Sequence, residues 1–422
     1  MNLTDTTQGT IGIKQRLKSA ITRAVVWGDR HQMALAIFIL LASAIPLLMV
    51  LDDPPQSDLH IYHSLATAMA KGKMPYKEHL FEYPPYAIPL FLLPSLLGDE
   101  NYFLGFKLMA VLADALIKCL LLSIGLREAK GVRSLLPLAF YCFAIPFIKY
   151  FYLQRFDVFP ALISVFAIVA FSSKRYLLSG LMVALGAGLK LYPALFVPTF
   201  LVLAWRKNKA KQFALGLLTG AAPILLLSFW LPWWRFFAFH GERGLQVEST
   251  YASIIWLAHH FGIGDVRWES GNRCFELHGA LPQAVQRGVR IVFITAVTWA
   301  SISSCRIAAR LTPISASTIS QLSLLSLLAF VGFNSVFSPQ YLIWLLPLAN
   351  AQSIGSKRKA GVSTLVSLAT IFTVFIFPSP EYQVGITLPQ TIILVLRNLL
   401  LLYCVASVIR ASVSQPTQMI TA

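Results

Sequence analysis

Long apolar runs constrain the fold of this 422-residue sequence more than any other feature. Hydrophobic residues make up 56% of the chain and charged residues only 13%, whereas soluble domains average about 45–50% apolar residues. Many runs are long enough, or nearly long enough, to cross about 30 Å of hydrocarbon as a helix. The alternating ten-residue segments of a membrane β-barrel are absent from the sequence. The sequence therefore predicts an all-α protein that crosses a membrane many times.

The apolar runs predict about twelve membrane spans, with both chain ends in the cytoplasm. They lie at residues 33–51, 102–126, 135–150, 156–172, 176–189, 192–204, 213–231, 287–304, 314–334, 340–352, 361–378 and 386–409. The run 86–97 is short and has two prolines, so we expect a partial or re-entrant helix there. The spans 176–189 and 192–204 are also short and are expected to form a hairpin that reaches only partway across.

These spans divide the chain into three parts. The expected parts are a cytoplasmic basic tail at 1–32, a membrane domain at 33–410 and a cytoplasmic tail at 411–422. The membrane domain is expected to carry two outer loops, at 52–101 and 232–286.

The net charge of +17 suggests nucleic acid at first sight, but the positions of the basic residues favour a topology signal. About 20 of the 35 Lys and Arg residues stand in short clusters between apolar runs or in the N-terminal tail. Basic loops stay on the cytoplasmic side of a membrane. We therefore expect membrane lipids and no nucleic acid as partners. The five Cys residues show no metal-binding spacing, and no cofactor is expected.

This topology places the chemically varied segments together on the outer side. They are residues 52–85, 154–157, 188–193, 232–286 and 334–341. The sequence has no glycine-rich nucleotide-binding motif and no H-E-x-x-H, C-x-x-C or G-x-S-x-G motif. An enzyme of this kind must take its substrates from the lipid or from the outer aqueous phase.

The segment SDLHIYHSLATAMAKGKMPYKEHLFEYPPY, residues 57–86, is polar and aromatic although it lies beside an apolar run. It predicts a helix on the membrane surface that ends near Gly72, because Gly suits the left-handed position after a helix. Asp58 falls in the first turn, where the helix dipole favours an ionised carboxylate. Tyr62 lies on the same face, four residues later. The alternative interpretation is an acidic helix cap followed by aromatic interface anchors.

Three cations outside the cytoplasmic clusters are candidates for binding an anion. Lys190, in GLKLYPALF, stands between two apolar segments, where a lysine usually has a partner. Snorkelling of Lys190 to the interface is the alternative. Arg155, in LQRFD, has Asp157 as a ready partner, so a purely structural ion pair is equally expected. Arg243 lies in the charge-dense outer stretch HGERGLQVES.

The first outer loop resembles that of the GT-C superfamily of glycosyltransferases, and especially that of glycosyltransferase family 87. The pattern of that family is Asp, then Tyr, then Gly-x-x-Pro-Tyr, then Tyr-Pro-Pro. It is met here by Asp58, Tyr62, Gly72, Pro75-Tyr76 and Tyr83-Pro84-Pro85. GLKLYPALF, RGLQVES and FSPQYLIWLLP match further along the chain, in the expected order. The turn QRFD departs from the pattern, because it lacks the Gly-Gln pair of the family. A more distant resemblance is to the mannosyltransferase of GPI-anchor synthesis, which has a similar Lys-x-Tyr-Pro.

The resemblance implies a GT-C-type helix bundle and an inverting hexosyltransferase. Family 87 comprises bacterial mannosyltransferases that use polyprenyl-phosphate-mannose, so the expected sugar is mannose. The expected acceptor is a lipid-linked or cell-envelope glycan on the extracytoplasmic side of the membrane. A transferase that expels a phosphate needs only a base to take the proton of the acceptor hydroxyl.

The same resemblance implies roles for individual residues. Asp58 is the expected general base. The expected phosphate contacts are Lys190, Arg243 and Arg155, and no metal is expected. The expected substrate contacts are Tyr62, His63, Tyr76, Glu82, Tyr83, His240, Glu248 and Gln340.

Two other classes of protein stay open from the sequence alone. A transporter or lipid flippase shares the apolar composition, and an intramembrane lysine is as natural there. Transporters often have two related halves, however, and this sequence shows none. A non-catalytic subunit of an envelope complex is the other class, against which the intact set of Asp58, Lys190 and Arg243 argues.

Overall fold

The structure, a computed structural model, describes residues 18–20, 22–55, 57–241, 243–271, 274–376 and 387–413. Much of the two predicted tails, 1–32 and 411–422, therefore lies outside the described residues. The helices are α1 Lys18–Arg30, α2 Gln32–Leu48, α3 Ser57–Ala70, α4 Ala87–Leu92, α5 Tyr102–Glu128, α6 Leu136–Ala144, α7 Lys149–Gln154, α8 Val158–Ser172, α9 Tyr176–Leu189, α10 Val197–Trp205, α11 Ala210–Leu227, α12 Arg235–Gly241, α13 Thr250–His260, α14 Ala280–Ala308, α15 Ala316–Phe333, α16 Tyr341–Ala351, α17 Lys357–Ile376 and α18 Leu388–Val413.

The predicted all-α membrane architecture is confirmed, but fewer helices are long enough to cross than the sequence suggested. Within the described residues six helices are long and apolar enough, namely α5, α11, α14, α15, α17 and α18, or seven if the bent pair α1–α2 counts as one span. The remaining predicted spans are shorter apolar helices. A 14-residue helix extends only about 21 Å at 1.5 Å per residue. The number of spans, predicted as about twelve, stays a prediction, because a short helix can cross together with the segment that follows it.

Prolines explain why several apolar runs break into short helices. Pro137, Pro193 and Pro198 each occupy the first or second position of a helical segment, where the missing amide proton costs nothing. Lys190 follows α9 in an extended conformation, with φ −154° and ψ 139°. A 3-10 turn at Tyr192–Phe196 then leads into α10. The two short helices predicted for this hairpin are present, and the segment between them carries Lys190.

Close packing of α9 against α11 fixes the position of this hairpin. A Cβ atom at Gly180 would lie 2.1 Å from the Phe213 carbonyl oxygen, and one at Gly216 would lie 2.0 Å from the Leu177 carbonyl oxygen. Only glycine allows the two backbones to approach so closely, as is common between membrane helices. The carbonyl oxygen of Gly188, at the end of α9, accepts a hydrogen bond from the Tyr86 amide at 2.9 Å. The first outer loop is thereby joined to the tip of the hairpin.

The long outer loop 232–286 contains a small antiparallel sheet that the sequence analysis did not foresee. Its strands, β1 Leu245–Gln246, β2 Arg267–Gly271 and β3 Cys274–His278, are ordered β1-β3-β2. One face supplies Leu245 and Leu277 to an apolar cluster with α13. The sheet therefore holds the segment that contains Arg243 and Glu248 against the bundle.

A buried ion pair on α5 joins four helices. Asp114 Oδ2 and Lys118 Nζ are 2.5 Å apart, and each side chain is only 3% exposed. Tyr141 of α6 donates to Asp114 Oδ1 at 3.1 Å and shares a hydrogen bond with the hydroxyl of Tyr152 on α7. Lys118 Nζ also donates to the Ser43 carbonyl oxygen of α2 at 3.3 Å. The network ties α2, α6 and α7 to α5 in a region where an unpaired charge is costly.

We expect Asp114→Leu to destabilise the protein by about 3–5 kcal/mol, because it leaves Lys118 buried without a counter-ion. The double variant Asp114→Leu/Lys118→Met should recover much of this loss, since it removes both charges and keeps the volume. Thermal unfolding of the detergent-solubilised protein measures both effects. A double variant as unstable as the single one would contradict this account.

Candidate active site

Asp58 lies in the first turn of α3 and faces the turn that follows α7. Its Oδ2 atom forms an ion pair with Nη1 of Arg155, and the Tyr62 hydroxyl lies 3.5 Å from the same oxygen. The side chains of Arg155 and Asp58 are 17% and 20% exposed, so solvent still reaches the pair. The structural alternative for Arg155 was an ion pair with Asp157. Arg155 pairs with Asp58 instead, because Asp157 is engaged by another cation.

Lys190 is the cation that engages Asp157. Its Nζ lies 2.5 Å from Asp157 Oδ1, and the indole Nε1–H of Trp344 donates to the same oxygen at 2.6 Å. Nζ also lies 4.7 Å from the ring centroids of both Phe156 and Trp344, and 5.9 Å from that of Tyr341. Aromatic faces stabilise a cation at such distances. The alternative of a lysine snorkelling into open water therefore does not hold.

Arg243 forms the third acid–base pair of the site. Its Nη2 lies 2.8 Å from Glu82 Oε2, and its guanidinium lies 4.9 Å from the ring centroid of Phe239. Nε2 of His240 lies 3.0 Å from the Glu82 carbonyl oxygen, so the tautomer with a proton on Nε2 donates to it. The first outer loop and the long outer loop therefore meet at Glu82.

The three pairs belong to one site. Arg155 and Asp157 flank Phe156 in the chain, and the Phe156 ring lies 4.7 Å from Lys190 Nζ and 5.0 Å from the ring of Tyr83, the residue after Glu82. In addition, the Nε atoms of Arg155 and Arg243 are buried and have no hydrogen-bond partner. Buried donors without acceptors are costly. Acceptor oxygens of a small oxyanion are the kind of partner that these two donors lack.

Several predicted substrate contacts lie in the wall of the site or away from it. Tyr62 is 1% exposed and stacks on Phe91 at 4.4 Å, so neither a sugar nor the membrane interface reaches its ring. Tyr76 is 4% exposed and donates to the Tyr83 carbonyl oxygen at 2.6 Å. His63 lies 2.6 Å from Asp99, away from the three pairs.

Two other predicted contacts border the site. The ring of Tyr83 is partly exposed and packs edge-on against Phe156 at 5.0 Å. Gln340 precedes Tyr341, and its Oε1 accepts a hydrogen bond from the Ser338 hydroxyl. Gln340 therefore contributes to the turn that places Tyr341 beside Lys190.

The sequence analysis missed Arg397, which lies in the apolar helix α18. Its Nη1 forms an ion pair with Glu248 Oε2 at 2.9 Å, and its Nη2 donates to the Glu248 carbonyl oxygen at 3.1 Å. The neighbouring Asn398 donates to the same carbonyl oxygen at 3.1 Å. A lone Arg-Asn pair inside the run ILVLRNLLLL was the available signal, since a charge in a membrane helix usually has a partner.

Comparison with known proteins links the chain to one family. The family model described as glycosyltransferase family 87 matches residues 81–331, a range that contains Arg155, Lys190 and Arg243 but not Asp58. No curated protein matches the chain. Among solved structures the chain is similar to ArnT from Cupriavidus metallidurans bound to undecaprenyl phosphate. The identity is 14%, the alignment covers 90% of this chain and 78% of that chain, and the TM-score is 0.43.

The ionisation of Glu248 links the site to the stability of the protein. Burial raises the pKa of this carboxyl group to about 7, and the nearby Arg397 limits the rise. A pKa that is higher in the folded than in the unfolded state stabilises the protein at low pH. The contribution is complete below about pH 4.5 and is lost as the pH rises through about 7.

We therefore expect the melting temperature of the wild-type protein to fall more steeply between about pH 5 and pH 8 than that of Glu248→Gln, which cannot ionise. Thermal unfolding of both proteins across this range, in the same detergent, measures the difference. Parallel curves for the two proteins would show that Glu248 does not titrate in this way.

Proposed function

Because the chain belongs to glycosyltransferase family 87, with a family match over more than half of its length, it is an integral-membrane glycosyltransferase, and we propose a specific reaction for it. The protein transfers a hexose, with mannose as the first candidate, from a polyprenyl-phosphate donor. The acceptor is a lipid-linked or cell-envelope glycan. The site faces the extracytoplasmic side of the membrane.

The convergence of Arg155, Lys190 and Arg243 carries the proposal. Three cations from three separate chain segments lie around Phe156 and Tyr83, and two of them have buried Nε–H groups without an acceptor. A phosphate offers several oxygens to such donors, and charge-assisted bonds from arginine to phosphate are strong. The polyprenyl phosphate of the donor is the anion that we assign to this position.

Asp58 is the base in the proposed reaction. The acceptor hydroxyl oxygen attacks the anomeric carbon, and the bond from that carbon to the phosphate oxygen breaks. The bonding electron pair leaves with the phosphate, which the three cations stabilise. Asp58 takes the proton of the hydroxyl. Attack from the face opposite the phosphate inverts the anomeric centre.

The position of the site along α5 supports its outward orientation. Tyr102, the first residue of α5, packs against His63 of the first outer loop at 4.6 Å. The helix has 27 residues, and its last turn contains Arg127, the first residue of a basic segment. Basic segments stay in the cytoplasm, so the first outer loop and the site belong to the opposite side.

The rival classes predict other behaviour. A transporter or flippase moves labelled sugar or lipid across the bilayer without forming a glycosidic bond, and a non-catalytic subunit does neither alone. Proteoliposomes with labelled polyprenyl-phosphate-mannose and envelope lipid extract distinguish these outcomes. Mass spectrometry of envelope glycolipids with and without the protein then identifies the product.

Asp58→Asn is expected to lower the transfer rate by about 10²–10⁴-fold, the usual contribution of a general base. The variant keeps the shape of the side chain but removes its basicity. The measurement is the transfer of mannose from polyprenyl-phosphate-mannose in membranes with equal amounts of inserted protein. Asp99→Asn is the matched control, because Asp99 is an exposed outer carboxylate outside the site, and it should retain wild-type activity. Near-normal transfer by Asp58→Asn would rule out this role.

A further inference from the structure

We infer that the Arg155–Asp58 ion pair sets the order of substrate binding. The phosphate of the donor draws Arg155 away from Asp58, and only then is Asp58 free to act on the acceptor hydroxyl. Arg155, which also binds the donor phosphate, thus blocks the base until the donor is in place. This inference rests on the proposed function.

The Arg155–Asp58 pair has the most accessible carboxylate of the three pairs. The side chain of Asp58 is 20% exposed, compared with 1% for Asp157 and 6% for Glu82. Asp157 is also held by two donors, Lys190 and Trp344. An entering anion therefore separates Arg155 from Asp58 more readily than it separates Lys190 from Asp157.

The surrounding structure holds the backbone of Arg155 in place, so its side chain is the part that can move. Gln154 Nε2 donates to the Pro54 carbonyl oxygen at 3.1 Å. Tyr152 is fully buried and is tied through Tyr141 to Asp114 of α5. Both anchors lie within three residues of Arg155. A rotation of the guanidinium therefore suffices, without a shift of α7.

Rotation of the Arg155 side chain changes the ability of Asp58 to accept a proton. While Arg155 neutralises Asp58, protonation of the carboxylate would leave the guanidinium without its counter-ion, so Asp58 is a poor base. A phosphate can accept two parallel bonds from an arginine, and the unpartnered Nε–H of Arg155 is available for one of them. The phosphate replaces the Asp58 carboxylate as the counter-ion of Arg155, and Asp58 is left ionised and unpaired. No bond is made or broken in this step.

The reactivity of the Asp58 carboxylate tests the exchange directly. A water-soluble carbodiimide with an amine labels free carboxylates, and peptide mass spectrometry gives the extent of labelling at Asp58. In the wild-type protein, polyprenyl phosphate should increase labelling at least about fivefold, which corresponds to about 1 kcal/mol. Arg155→Gln should label rapidly without the lipid and should not respond to it.

Two further variants make this test specific. Arg155→Lys keeps a cation beside Asp58 and should label slowly without the lipid. Arg267→Gln removes an exposed arginine of the outer sheet and should behave like the wild type. Labelling that stays constant or decreases when polyprenyl phosphate binds to the wild type would overturn the inference. Slow labelling of a folded Arg155→Gln protein would overturn it too.

Steady-state kinetics give an independent readout. A dead-end acceptor analogue should be an uncompetitive inhibitor against the donor in the wild type, because it binds only after the donor. In Arg155→Gln the inhibition should become mixed, and the KM for the donor should rise. An uncompetitive pattern retained in Arg155→Gln, or absent from the wild type, would contradict the ordered scheme.

Failure of the wild type to bind polyprenyl phosphate at all would contradict the proposed function. The role of the ion pair is still decided in that case, by comparing the labelling of Asp58 in the wild type and in Arg155→Gln without lipid.

Discussion

Charge pairing at the edge of the bilayer is the constraint on which the rest of the structure depends. A cation or a carboxylate partly removed from water needs a counter-charge, and the site contains three cations that act in common. Each has its own acid, namely Asp58, Asp157 or Glu82. The three pairs are therefore balanced in charge, although the buried Nε donors of Arg155 and Arg243 lack partners. These two donors are suited to an oxyanion.

The interrupted helices deliver these charges to one place. A helix that crosses the whole bilayer has its two ends at the two membrane surfaces. A short helix ends partway across, so that the residues after its last turn lie there. The break after α9 directs Lys190 into the site, and the break after α7 directs Arg155 and Asp157 into it. Non-helical backbone at such depth is tolerated where it is enclosed by protein or lines a cavity. The features that make these segments poor membrane spans are the features that form the site.

The candidate residues were predictable to different degrees. Asp58, Lys190 and Arg243 stood out because charged residues beside apolar runs are rare and are seldom explained by a structural role alone. For Arg155 the sequence offered an ion pair with Asp157 as one alternative, but Asp157, the nearest acid along the chain, pairs in space with Lys190. Tyr62 and Tyr76 were assigned to substrate or interface, but both are buried wall residues. An aromatic side chain that stacks on a sugar and one that packs in a core have the same sequence pattern. Arg397 was overlooked, since its partner Glu248 is 149 residues away.

The sequence by itself determined the class of protein and the family, because hydrophobicity and short motifs are local properties. The breaks within the apolar runs, the partners of each charge and the small sheet were decided only by the tertiary structure. Pairing depends on distances between segments that lie far apart in the chain, such as the Glu82–Arg243 contact across 161 residues. No periodicity within either segment encodes such a distance.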